Sequence, residues 1–238
     1  QLIQESPQDQ VALRLMTALD HPIITKLQDT TLIEDETVRE LEVDLPEIDL
    51  ISPMLKQDLA IAEYRDEKIL RQGGRPEVND ADRILRDAEK EKGTEFGERY
   101  PLFLEAAKAY SELPEGAYAL ESFHRALARY AMLKGGALVS EFRRRANSEN
   151  PNLQALFHLR DSATSYYLES LAIQMNLDEK FALVALANYL RAQIVYALIC
   201  RQEYTPSDIF ERGFSDLFGF CLGHKDQEIT HIAYSAVI

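Results

Sequence analysis

Between residues 102 and 130 the chain reads LFLEAAKAYSELPEGAYALESFHRALARY, with alanines and aromatic rings recurring on either side of a single Pro-Glu-Gly break. This spacing constrains the fold more than any other feature. Residues three and four apart share one side of a 3.6-residue helix. Phe103, Ala106, Ala107 and Tyr110 therefore share one face, and Ala119, Phe123, Ala126 and Tyr130 share another. The connection Leu113-Pro114-Glu115-Gly116 is short enough to demand antiparallel neighbours. Small side chains let two backbones approach closely, and the rings fill the space beside each approach. The pair, expected over 99–112 and 116–134 with Gly135-Gly136 as its stop, cannot bury its apolar face alone and calls for neighbours of the same kind.

Helix signals recur along most of the chain. Val11, Leu15, Ala18 and Leu19 fall at helical spacing before Pro22. Ser52 before Pro53 caps a helix over 53–72, which Gly73 and Gly74 end. Asn79 or Asp80 caps a charged helix to Gly93, Asn150-Pro151 opens one to about Asn176, and 178–202 follows. Thr205-Pro206-Ser207-Asp208 forms a capping box, and Gly223 precedes a last helix over 225–238. The expected fold is all-α. The exception is 28–50, where nine acidic residues stand against Arg39 alone and Leu41, Val43 and Leu45 alternate with Glu42 and Asp44. That segment reads as extended, either a solvated linker or edge strand or an acidic-hydrophobic recognition arm. Residues 1–51 are thus expected to hold a helix and this arm, and 52–238 a helical domain.

The pattern in 103–126 resembles the tetratricopeptide repeat. In that motif an aromatic, two small residues and a tyrosine on the first helix are followed by small, aromatic and small residues on the second. Phe103, Ala106, Ala107 and Tyr110 match the first helix, and Ala119, Phe123 and Ala126 the second; Ala131 replaces the usual closing proline, so the second helix is expected to run on. A looser match follows in Leu159, Ser162, Ala163 and Tyr166, then Ala185, Tyr189 and Ala192, with about three extra helical turns between. The resemblance implies a short right-handed solenoid of stacked antiparallel pairs that binds peptides or partner proteins on its concave face.

Composition narrows the function classes. The chain has 238 residues, 46% of them hydrophobic, ample for a core; 26 Lys and Arg against 40 Asp and Glu give −14, which on balance repels a nucleic-acid backbone. Cys200 and Cys221 sit in apolar surroundings as packed thiols, which fits a reducing, intracellular setting, cytoplasmic or nuclear. The opening QLIQESPQDQ has neither a basic start nor an apolar run, and the end ITHIAYSAVI is apolar without a polar cap; a piece of a larger protein is expected. The most apolar stretch, 181–200, carries Arg191, which alone would cost roughly 3 kcal/mol in lipid. A protein-buried helix is expected there instead, with Arg191 paired to Glu169 or Asp161.

Candidate chemistry is sparse. Glu121/His124 and Glu228/His231 have the Glu-x-x-His spacing of carboxylate-bridged metal bundles, but the neighbouring apolar residues place both pairs on solvated flanks. Cys221, His224 and His231 lack a fourth ligand for zinc. No phosphate-binding glycine loop, nucleophile elbow or His-Glu-x-x-His occurs, so neither catalysis nor a cofactor is expected. Residues 122–147, by contrast, carry six basic residues against Glu141 alone. Either the strip pairs with acidic neighbours, or Arg125, Arg129, Arg143, Arg144 and Arg145 recognise an acidic segment of a protein partner. The arm 28–50 is an intramolecular candidate for the same strip. The expectation is a non-catalytic interaction or scaffold module; the alternatives are a metalloenzyme built on the two Glu-x-x-His pairs, and an RNA-associated scaffold using the arginines.

Overall fold

The computed structural model describes residues 51–91, 96–114, 120–148, 150–174, 177 and 179–199. The regular elements among them are all helices: α1 (Pro53–Ile61), α2 (Glu67–Arg71), α3 (Val78–Lys90), α4 (Phe96–Ser111), α5 (Leu120–Ala146), α6 (Leu153–Gln174) and α7 (Glu179–Ile199). Two compact units are present. Val43–Leu186 holds α1 to α6 and the start of α7; the other comprises Gln1–Glu42 and Ala187–Ile238, and its described part is the remainder of α7.

Ser52 caps α1 as its position beside Pro53 predicts, its Oγ accepting the Leu55 N–H at 3.3 Å. The expected single helix over 53–72 is broken, however. Ala62 is extended (φ −63°, ψ 140°), and the chain turns helical again under Asp66, whose Oδ1 accepts from Lys68 N at 3.0 Å and Ile69 N at 3.2 Å. The break persists because its exposed amides have a partner outside the helix. Arg65 N and Asp66 N donate to Glu105 Oε1 on α4 at 2.9 and 2.8 Å, and Glu105 is only 3% exposed. Gly73 and Gly74, at φ 71° and 77°, end α2 as expected. Neither Asn79 nor Asp80 is the cap of α3; Glu77 is, and Asp80 in the first turn accepts its N–H at 3.1 Å. α3 ends at Lys90, short of Gly93.

The paired faces of α4 and α5 are as the alanine spacing requires. Phe103, Ala106, Ala107 and Tyr110 are buried, as are Phe123, Ala126 and Tyr130; Ala119 lies outside the described residues. Tyr100 meets Tyr130 with centroids 5.9 Å apart, while Tyr110 at the far end of α4 reaches Ser122 near the start of α5, so the two helices run antiparallel. Each ring removed from water contributes roughly 1.5–3 kcal/mol.

Gly135-Gly136 does not stop α5, which runs on to Ala146. A Cβ at Gly135 would meet Tyr167 Cδ1 and Cε1 of α6 at 3.1 Å, so the glycine is where a ring lies flush on the backbone. α6 opens under Asn152, whose Oδ1 accepts from Ala155 N at 3.1 Å. Ser170 Oγ donates to Ala128 O at 2.9 Å and Tyr166 packs edge-on to Tyr130 at 6.0 Å, which sets α6 antiparallel to α5. Ala163 and Tyr166 are buried but Ser162 is exposed, so the second match to the repeat spacing does not put all four of its first-helix residues on the packed side. Each helix from α3 to α5 thus packs on its successor, and α1 touches α4.

One polar cluster ties α1 to this stack. Asp58 Oδ2 accepts from Tyr130 Oη at 2.8 Å and Tyr166 Oη at 2.7 Å, across 72 and 108 residues of sequence. Burial first, and the Asp58 carboxylate second, push both phenols well above their ordinary range, so they remain donors. Among the described residues no helix is long and apolar enough to cross a membrane. Asp161, one of the two partners expected for Arg191, is engaged by Arg160 at 2.7 Å.

Candidate functional site

The five arginines singled out in the sequence all lie on α5 but do not form one surface. Residues 125 and 143 are eighteen apart, five full turns, so Arg125 and Arg143 share an azimuth and Arg129 lies about 40° from it. Arg144 and Arg145 turn away by about 100° and 200°. Both close on Glu141: Arg144 Nη2 lies 2.6 Å from its Oε1, and Arg145 Nε donates to the same oxygen. The hydrogen bond from Arg144, then that from Arg145, pulls the Glu141 carboxyl down to about 2. Arg125 pairs with Glu121 one turn back at 2.6 Å, both side chains open to water. Arg143 is half-buried and has no ion-pair partner among the described residues. Arg129 is held differently, its guanidinium 3.4 Å from the centre of the Phe181 ring.

Arg129 also lines a cavity of about 270 Å³ where α3, α4 and α5 meet. α3 contributes Glu89, α4 contributes Arg99 and Phe103, and α5 adds Met132 and Leu133 beside Arg129. The antiparallel run of α4 against α5 produces this arrangement, since it brings the first turns of α4 level with the middle of α5. Arg99 Nε is shielded from water and has no hydrogen-bond partner among the described residues. A buried, unpaired donor on a charged group is costly. Nothing in the local sequence Glu98-Arg99-Tyr100-Pro101 marks Arg99 or links it to Glu89.

The Glu-x-x-His reading of Glu121 and His124 needs correction. Glu121 is solvated as expected, but His124 is fully buried. α4 packs on one side of α5 and α6 on another, so residues outside the Ala-aromatic face are also enclosed. His124 Nδ1 lies 2.9 Å from Leu120 O and donates to it, which leaves Nε2 buried without a partner. Desolvation lowers the affinity of this ring for a second proton. Among the described residues no three His, Cys, Asp or Glu side chains gather closely enough to hold a metal ion. Glu228, His231, Cys221, His224 and the arm 28–50 lie outside the described residues.

No protein-family model, no curated protein and no solved structure matches the chain.

Proposed function

We propose that the chain acts as a tetratricopeptide-like recognition module of a larger intracellular protein, working without catalysis by holding an acidic segment of a partner protein. The observation that carries the reading is the line of Arg125, Arg129 and Arg143 along one side of α5, with a cavity opening beside its middle member. Eighteen residues of helix separate the outer two by about 27 Å, a span that an extended segment of about eight residues covers. The pair Arg125–Glu121 is exposed on both sides and therefore worth only a few tenths of a kcal/mol, so an incoming carboxylate exchanges with Glu121 at little cost. Arg144 and Arg145, committed to Glu141, serve the helix rather than the partner.

Fluorescence anisotropy with the full chain and labelled glutamate-rich octapeptides tests this. Binding is expected to weaken with rising salt, to fall several-fold with Arg125→Gln and with Arg143→Gln, and to change little with Arg144→Gln. Equal losses at Arg143 and Arg144, or no binding of acidic over neutral peptides, would sink the proposal.

A further inference from the structure

We infer that the cavity between Glu89, Arg99 and Arg129 is a specificity pocket for a single glutamate side chain, an inference that rests on the acidic-segment reading above and names the site where that segment is read. At about 270 Å³ the cavity falls below the 300–1,000 Å³ usual for whole small molecules and cofactors, and it suits one side chain. Its two kinds of wall match the two parts of such a group. Phe103, Met132 and Leu133 offer an apolar surface to methylenes, and Arg99 and Arg129 supply guanidinium donors to the carboxylate at their end. Arg99 closes no ion pair among the described residues, so its guanidinium is not already committed to a carboxylate of the chain. Arg129 is oriented in advance by its seat on Phe181, so little side-chain freedom is lost when it binds.

Glu89 decides which anion is taken. It lines the same cavity and closes no ion pair among the described residues, so its negative charge offsets part of that of the two arginines. A carboxylate brings one negative charge, and the two arginines outweigh Glu89 in holding it. Two arginines against Glu89 leave one net positive charge, which a carboxylate neutralises, whereas a phosphorylated side chain, with close to two charges, leaves one of them unpaired in the cavity. The pocket therefore selects glutamate over phosphoserine. The two methylenes of glutamate, against the one of aspartate, also bring its head farther along the apolar wall.

Three labelled octapeptides test the assignment on the full chain: neutral but for one central glutamate, the same with glutamine there, and the same with phosphoserine. The glutamate peptide is expected to bind tightest. Arg99→Met, which keeps the stem and removes the donors, is expected to weaken it roughly tenfold to a hundredfold, as loss of a hydrogen bond between charged groups implies. Arg99→Lys is expected to fall between. Glu89→Gln is expected to improve the phosphoserine peptide several-fold more than the glutamate peptide. Far-UV circular dichroism and the thermal midpoint check that each variant folds; the Arg99 Nε–H resonance of the unaltered protein gives a readout that needs no variant, and it is expected to shift on adding the glutamate peptide.

If Arg99→Met binds the glutamate peptide as tightly as the unaltered protein, or that resonance does not move, the pocket is refuted. The wider reading then stands or falls on Arg125 and Arg143 alone. If free glutarate binds as tightly as the glutamate peptide, the occupant is a small dicarboxylate and the assignment to a protein side chain is overturned. If the single-glutamate peptide binds through Arg99 while Arg125→Gln and Arg143→Gln leave glutamate-rich peptides unaffected, the pocket stands and the extended groove does not.

Discussion

Replacing Asp58 offers the sharpest check on how α1 is held to the stack. Its Oδ2 takes the hydroxyl protons of Tyr130 and Tyr166, at 2.8 and 2.7 Å, and both rings are buried. Hydrogen bonds to a charged acceptor contribute about 1.5–3 kcal/mol each, and the half-exposed position of Asp58 argues for the lower end. Asp58→Ala deprives both hydroxyls of their shared acceptor, so a loss of about 2–4 kcal/mol is expected. Asp58→Asn keeps an oxygen in place and loses the charge, for about 1–2 kcal/mol. A stronger test uses the asymmetry between removing one partner and removing all of them. With Tyr130→Phe and Tyr166→Phe added to Asp58→Ala, no unsatisfied group remains, and the triple variant is expected to be more stable than Asp58→Ala alone. Urea denaturation followed by circular dichroism measures all of these. A value for Asp58→Ala within about 0.5 kcal/mol of the unaltered protein, typical of a surface change, would refute the argument, as would a triple variant weaker than the single one.

Two further perturbations follow from buried groups on α5. Gly135→Ala gains about 1 kcal/mol of helix propensity but sets a methyl at 3.1 Å from the Tyr167 ring, and overpacking costs about 1–3 kcal/mol; a lower thermal midpoint is expected, restored when Tyr167→Leu is added. His124 is held neutral because burial lowers its proton affinity, whereas the unfolded chain takes up a proton near pH 6.5. The stability it contributes is therefore present above that value and lost as the pH falls below it, with a slope of up to about 1.4 kcal/mol per pH unit; His124→Leu is expected to flatten urea midpoints measured between pH 7 and 5, and an unchanged slope would count against the burial argument.

Local signals were legible where local physics decides. The cap at Ser52 beside Pro53, the glycine stop at 73–74 and the Ala-aromatic face of α4 each follow from spacing or backbone chemistry within a few residues. Readings failed where a distant partner overrode the local preference. Gly135-Gly136 reads as a stop, but Tyr167 needs a bare backbone to lie on, and that packing carries α5 past it. The break at 62–66 has no proline or glycine in the sequence to announce it, because the group that stabilises it, Glu105, is forty residues away. The candidate site divides the same way. Arg129 stood out as one of a run of basic residues, whereas Arg99 and Glu89 acquire significance only when the antiparallel helices bring them to one cavity.

The unbroken course of α5 over 27 residues couples places that local sequence treats as separate. Arg129 at the cavity and the bare ridge at Gly135 share a single screw axis, so neither can be retuned by changing the length of chain between them. One inserted residue would swing everything downstream by about 100° and advance it by 1.5 Å, taking Gly135 out from under the Tyr167 ring while Arg129 stayed at the cavity. Length variation in related chains is thus expected to accumulate in the connections and to spare the stretch from 123 to 136, where a phase error has no local remedy.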